Sequence, residues 1–138
     1  MIELKGEYGE RVHRRLLQEQ VIWLTTIGPD HTPHPRPLWF YWDGQQFLLY
    51  SRPGAHKLKH IEQNPNVALH FNSDFRGHNV AVFLGQAEVG PKDRSAPHSA
   101  AYIDKYRTRI AEQGGTPESF SNDFSVSIHV EPDKLRGF

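Results

Sequence analysis

Two dense aromatic and aliphatic runs flank an Asp43-Gly44 turn in the segment Arg36 to Lys57, RPLWFYWDGQQFLLYSRPGAHK. Asp-Gly between apolar runs is a strong signal for a tight hairpin. That signal commits the chain to antiparallel pairing, because parallel strands need a crossover of a dozen residues or more. The hairpin then runs into Pro53-Gly54, with Arg52 just before it and His56 and Lys57 just after. A strand that yields to a Gly/Pro loop rich in positive charge is suited to catching an anion.

The rest of the chain can be read in the same way. Tyr8 to Glu19 predicts a helix, with Val12, Leu16 and Leu17 at helical spacing. Val21 to Ile27 predicts a strand closing on Gly28-Pro29-Asp30. His34 to Trp42 predicts a second strand. Pro33, Pro35 and Pro37 alternate at its start, and proline cannot donate to a ladder, so that entry belongs at an edge. Gln46 to Ser51 returns as the third strand, and Ala55 to Gln63 reads as a short helix. Val67 to Asn72 and Asn79 to Val89 read as the fourth and fifth strands. Ser95 is a candidate cap for a helix from about Ala96 to Ala111, and Gly114 to Pro117 reads as a loop. Phe124 to Glu131 alternates apolar and polar residues as a half-buried sixth strand. Six strands with mostly short gaps and only two or three helices predict a mainly β fold, an antiparallel barrel in a single domain over residues 1–138.

Composition narrows the function. Lys plus Arg and Asp plus Glu number 16 each, so there is no overall basic field, and nucleic acid is not an expected partner. Any anion must be held by a local cluster. The chain has no cysteine, which excludes disulfides, thiolate metal sites and cysteine nucleophiles. The longest apolar run, Leu38 to Trp42, is far too short to span a membrane, and the N-terminus lacks the apolar core of a signal peptide. A soluble, cytoplasmic protein is the expectation. Apolar residues make up 37% of the chain and mean hydropathy is −0.65, a thin core that a second subunit would complete.

Two clusters can carry chemistry. Arg52, His56 and Lys57 can hold a phosphate, with Gly54 allowing close backbone approach and the following helix offering free N–H groups. The alternative is an ordinary solvated basic helix. The backbone of Arg36, Pro37, Leu38 and Trp39, with Tyr50 and Ser51, can read the edge of a planar ring system, and Trp39 and Tyr41 can wall it. The alternative is that Leu38, Phe40 and Trp42 are simply core. Aromatic residues on both faces of this hairpin are unusual, since one face should be wet. They call for a ligand, a helix or a second subunit on the other side.

Other chemistries find little support. Among nine histidines, His56 and His60 stand at i, i+4 on one helix. Lys57, however, occupies the position where a metalloprotease motif has glutamate, and its charge opposes a dication. No metal is expected. Gly85 to Gly90 has phosphate-loop glycine spacing, but Pro91-Lys92 follows where Lys and then Ser/Thr should stand. Ser51 and Ser73 have no persuasive His/Asp partners.

At these residues the chain resembles the pyridoxamine 5′-phosphate oxidase-like, FMN-binding split-barrel superfamily, and within it the small branch of F420-dependent enzymes. The likeness runs from VIWLTTIGPDHTPHPRPLWFYWDG through LLYSRPGAHKLKHIEQNPNVALHF and VAVFLGQAEV to SVSIHVEPDKLRGF. It implies a six-stranded split barrel that forms a homodimer, with FMN or the deazaflavin F420 bound at the subunit interface. By the same resemblance Arg36 to Trp39 line the ring and Tyr50-Ser51 lie beside the ribityl-phosphate. His56 and Lys57 bind the phosphate with Arg52, and Asn79 approaches the ring. The oxidase has a basic residue where His56 stands. Its C-terminal substrate segment has no counterpart by Leu135 to Phe138, which argues against pyridoxamine phosphate as substrate.

The resemblance thus implies an oxidoreductase that moves hydride to or from a small organic substrate. No general acid or base is singled out, although Tyr41 and Tyr50 are conceivable proton donors. The competing expectation is a non-catalytic carrier of FMN, F420 or haem that uses the same residues.

Overall fold

The computed structural model describes residues 1–90 and 98–138. Among the described residues four helices and seven strands follow one another as α1 (Gly6–Gln18), β1 (Ile22–Ile27), β2 (Pro33–Leu38), β3 (Tyr41–Trp42), β4 (Phe47–Ser51), α2 (His56–Gln63), β5 (Asn66–His70), β6 (Ala81–Val89), α3 (Ala100–Glu112), α4 (Pro117–Asp123) and β7 (Val126–Gly137). Every strand pair is antiparallel. The strands form one sheet in the order β2-β1-β5-β6-β7-β4-β3.

That order dictates the shape. The outermost strands, β2 and β3, are consecutive in the chain and joined only by Trp39-Phe40. Three residue steps reach at most about 11 Å. A flat sheet of this order would part its edges by roughly 29 Å, at about 4.8 Å per strand. The sheet therefore curls until its edges nearly meet, and its apolar residues fill the concavity. Ile22, Leu24, Phe40, Phe47, Leu49, Leu69, Phe83, Ile128 and Val130 form the centre of that core, with Val12 and Leu16 of α1 packed among them.

The proline-rich strand lies at an edge, as its missing donors require. The single strand expected over His34 to Trp42 is instead two, because the backbone of Phe40 leaves the ladder. Its N–H donates to the Tyr106 hydroxyl at 2.8 Å, and its carbonyl accepts from Lys105 Nζ at 2.9 Å. Tertiary partners on α3 thus turn six expected strands into seven. The last strand also outruns its expected end at Glu131, reaching Gly137 along β6.

The remaining differences lie around α3 and α4. The cap expected at Ser95 and the start at Ala96 lie outside the described residues. Ser99 caps α3, its Oγ accepting from the Tyr102 N–H. Thr116 and Ser119 form a reciprocal capping box with Pro117 at the first helical position, so a helix begins where a loop was expected. Tyr102, Ile103, Tyr106 and Ile110 of α3 make a second apolar cluster with Trp39, Tyr41, Leu48, Tyr50 and Phe120. These helices cover the outer face of the hairpin, which accounts for aromatic residues on both sides of it.

β6 and β7 slip register between Leu84 and Gly85. A Cβ on Gly85 would stand 2.6 Å from the Glu131 carbonyl oxygen and 3.1 Å from Pro132 Cα. Both are backbone atoms and cannot swing away. Gly85→Ala should therefore destabilise the fold by about 1–3 kcal/mol through overpacking, read as a lower urea midpoint at an unchanged slope. An unaltered midpoint would show that the two strands part without cost.

Candidate functional site

A cleft of about 750 Å³ opens between β2 and the start of α2. β1 supplies Thr26, and β2 supplies His34, Arg36, Pro37 and Leu38. The β4–α2 loop and α2 supply Arg52, Ala55, His56, Lys57 and His60, and Phe124 closes one side. None of these lining residues is a carboxylate. Gly54, at φ +80°, turns the chain sharply into α2, a conformation that glycine adopts without strain. Ala55 holds the N-cap position and has no side chain to cap with, so the first turn of α2 presents N–H groups and the positive end of its dipole.

Lys57 is half-buried here. Withdrawal from water lowers its pKa, and the neighbouring Arg36 charge lowers it further. A cation held back in this way gains when an anion arrives. The Arg52 guanidinium stacks over the Phe124 ring, 4.6 Å from its centre. His60, only 9% exposed, shares a 2.9 Å hydrogen bond between its Nδ1 and Thr26 Oγ1, and its ring lies 4.7 Å from that of His34.

The structure brings six of the expected site residues into this one cleft: Arg36, Pro37, Leu38, Arg52, His56 and Lys57. Trp39 and Tyr50 line an adjoining pocket of about 220 Å³ with Tyr102, Gln113 and Phe120, and Pro37, Leu38 and Phe124 border both spaces. Ser51 is fully buried, its hydroxyl donating to the Arg52 carbonyl at 2.9 Å, so it braces the loop from below. Asn79 lines neither space. It holds a positive φ of 58°, and its carbonyl accepts from Arg15 on α1.

Sequence reasoning passed over Thr26, His34, His60 and Phe124 as lining residues. His34 had a signal, lying two residues before Arg36 on the same face of a strand and directly opposite Thr26 in register. His60 had one too, four residues after His56. Phe124 had none, since its place depends on how α4 packs. Among the described residues, no group of three or more His, Asp or Glu side chains could hold a metal ion.

Burial lowers the His60 pKa from its usual 6.5, with smaller contributions from His34 and His56, while Asp30 opposes them. The sign follows from linkage. Below 6.5 the unfolded chain binds a proton that folded His60 resists, so stability falls as pH drops through that value. Between pH 7 and pH 5 the ligand-free protein should lose more melting temperature than His60→Gln does. Parallel losses in the two proteins would remove His60 as a source of acid sensitivity.

A curled antiparallel sheet of the split-barrel class, with a basic cleft at one edge strand, is thus the type of protein present. Residues 9–137 match the family model described as pyridoxamine 5′-phosphate oxidase, and the chain belongs to that family. A pyridoxine/pyridoxamine 5′-phosphate oxidase of Edwardsiella ictaluri (strain 93-146) is 27% identical over 109 residues. That match takes in 72% of this chain but only 50% of the relative, so the chain spans half the length of that enzyme. Among solved structures, one described as an F420 reductase superposes with a TM-score of 0.66 at 22% identity, covering 90% of this chain and 94% of its own. HutZ of Vibrio cholerae, described as a heme storage protein, superposes at 0.65 with 13% identity, covering 99% and 95%. At these identities the structural likeness is one of fold. No helix among the described residues is long and apolar enough to cross a membrane.

Proposed function

We propose that the chain binds a phosphorylated tricyclic cofactor, FMN or the deazaflavin F420, and serves as an oxidoreductase acting on a small organic substrate. One observation carries this reading: Arg36, Arg52, His56 and Lys57 converge on one cleft, lined by no acidic side chain, at the uncapped start of α2. These residues fit a phosphate dianion. Arg52 offers a planar fork, Lys57 a partly desolvated ammonium, and the first turn of α2 its N–H groups. Pro37 and Leu38 border both the basic cleft and the aromatic pocket, which suits them to hold the ring between the two. When bound, such a cofactor supplies the hydride chemistry, while the protein orients it and keeps water away. Exposed Lys59 on α2, with Arg52 and Lys57, offers further positive charge toward the acidic tail that distinguishes F420 from FMN.

The reading includes a homodimer, as the family resemblance implies; Asn79, which lines neither space of its own chain, would in that arrangement approach the ring from a partner. Sedimentation checks that part. The ligand released from purified protein, identified by mass after its visible spectrum is recorded, checks the rest. Colourless protein that takes up neither FMN nor F420 would overturn it. A non-catalytic carrier is the second reading, favoured by the three imidazoles of His34, His56 and His60 in the cleft. Hemin uptake with no turnover of either cofactor would select it.

A further inference from the structure

Arg52 stands where β4 ends and the loop to α2 begins, and its side chain is exposed. A long side chain in water loses much rotamer freedom when it grips an anion. Here both ends of the residue are held beforehand. Its carbonyl accepts from the hydroxyl of fully buried Ser51 at 2.9 Å. Its guanidinium carbon lies 4.6 Å from the centre of the Phe124 ring. A guanidinium donates its N–H groups in its own plane, so contact with a ring occupies its face and leaves the donor fork free.

Phe124 is itself fixed from three directions. Its N–H donates to the Phe120 carbonyl at 2.8 Å, at the end of α4. Its carbonyl accepts from His98 Nε2 at 2.6 Å, and its ring stacks on Phe120 at 4.8 Å. Phe120 in turn stacks on Trp39 at 5.7 Å and on Tyr102 at 6.0 Å. The ring under Arg52 thus belongs to the frame built by α3 and α4, while the cation belongs to the loop before α2. Both side chains line the basic cleft.

We propose that Phe124 is a positioning residue for anion recognition: its ring holds the Arg52 guanidinium at the cleft with the fork free for two oxygens of a phosphate group, and Phe124 itself makes no bond to the anion. This role rests on the phosphate site proposed above. The cation–π contact survives when the anion binds, because the two partners use different parts of the guanidinium. The side chain is also ordered in advance, so less freedom is lost on binding. A ring that served only as a wall of the cleft would act equally with or without Arg52.

The test uses the full chain free of cofactor, with inorganic phosphate followed by NMR. The reporters are the Lys57 amide and the Arg52 Nε–H, the latter identified by its loss in Arg52→Lys. Phosphate should move both saturably in the parent. Phe124→Leu should weaken phosphate about three- to ten-fold, the worth of one cation–π contact and one side chain held in advance. Phe124→Tyr keeps the ring face and should restore the parental affinity. Arg52→Ala should also weaken phosphate, and adding Phe124→Leu to it should change nothing further. Equal affinity in Phe124→Leu and the parent would overturn the proposal, as would a full Phe124→Leu loss in the Arg52→Ala background. Either result leaves the proposed function standing. Where Phe124→Leu fails to fold, the unaltered protein still decides, since an Arg52 resonance unmoved by saturating phosphate overturns the proposal. Absence of saturable phosphate binding overturns it too, and if FMN and F420 also fail to bind, the proposed function falls with it.

Discussion

Tyr106→Ala should lower the unfolding free energy by about 3–5 kcal/mol, a large share of the roughly 5–15 kcal/mol that holds a domain folded. Tyr106 is fully buried, and its ring stacks on Trp39 at 4.6 Å. Its oxygen accepts from the Phe40 N–H at 2.8 Å and lies 2.7 Å from the Gln20 carbonyl and 2.8 Å from that of Phe40. The hydroxyl has one proton to give. The Phe40 carbonyl already accepts from Lys105, so donation to Gln20 satisfies every group. One side chain therefore closes two backbone groups, the Phe40 N–H and the Gln20 carbonyl, at the point where β2 gives way to β3. Tyr106→Phe keeps the stacking and removes that bridge, leaving the Phe40 N–H buried and unmet, at a cost of about 1–3 kcal/mol. Urea unfolding of both variants is the measurement. A phenylalanine variant as stable as the parent would show that the hydroxyl bridges nothing of consequence.

Lys57→Ala is expected to weaken binding of the phosphorylated cofactor by about 1–3 kcal/mol, roughly five- to 150-fold, as befits a lost charge-assisted hydrogen bond. The free protein should be no less stable without it, because the ammonium is desolvated beside Arg36 and makes no ion pair among the described residues. Binding and stability should thus move independently. Titration with FMN and with F420, alongside melting of the ligand-free variant, tests both halves. A parent cation with a lowered pKa should also take up protons when the dianion binds above neutral pH. Calorimetry in buffers of different ionisation enthalpy detects that uptake. Unchanged cofactor affinity in Lys57→Ala would remove this side chain from the anchor.

Local chemistry made much of the sheet legible. Asp43-Gly44 announced the β3–β4 hairpin, and alternate residues of Ile22 to Ile27 turn inward as a period of two demands. The prolines of Pro33 to Pro37 placed β2 at an edge, and the basic residues around Gly54 do gather in one cleft. The break at Trp39-Phe40 was illegible, because the groups that draw Phe40 out of the ladder come from Lys105 and Tyr106, more than sixty residues away. The pocket at Tyr102 was illegible for the same reason, since no spacing within α3 says which strand its face will meet.

By itself the sequence determined the elements that depend on near neighbours: turn chemistry, alternation, proline's missing donor, and a knot of positive charge at a helix start. Only the tertiary structure decided where two strands part, which helices cover the hairpin's outer face, and that the basic cleft adjoins an aromatic pocket. Those outcomes rest on hydrogen bonds and packing between residues far apart in the chain, and such pairings leave no periodic trace in either partner.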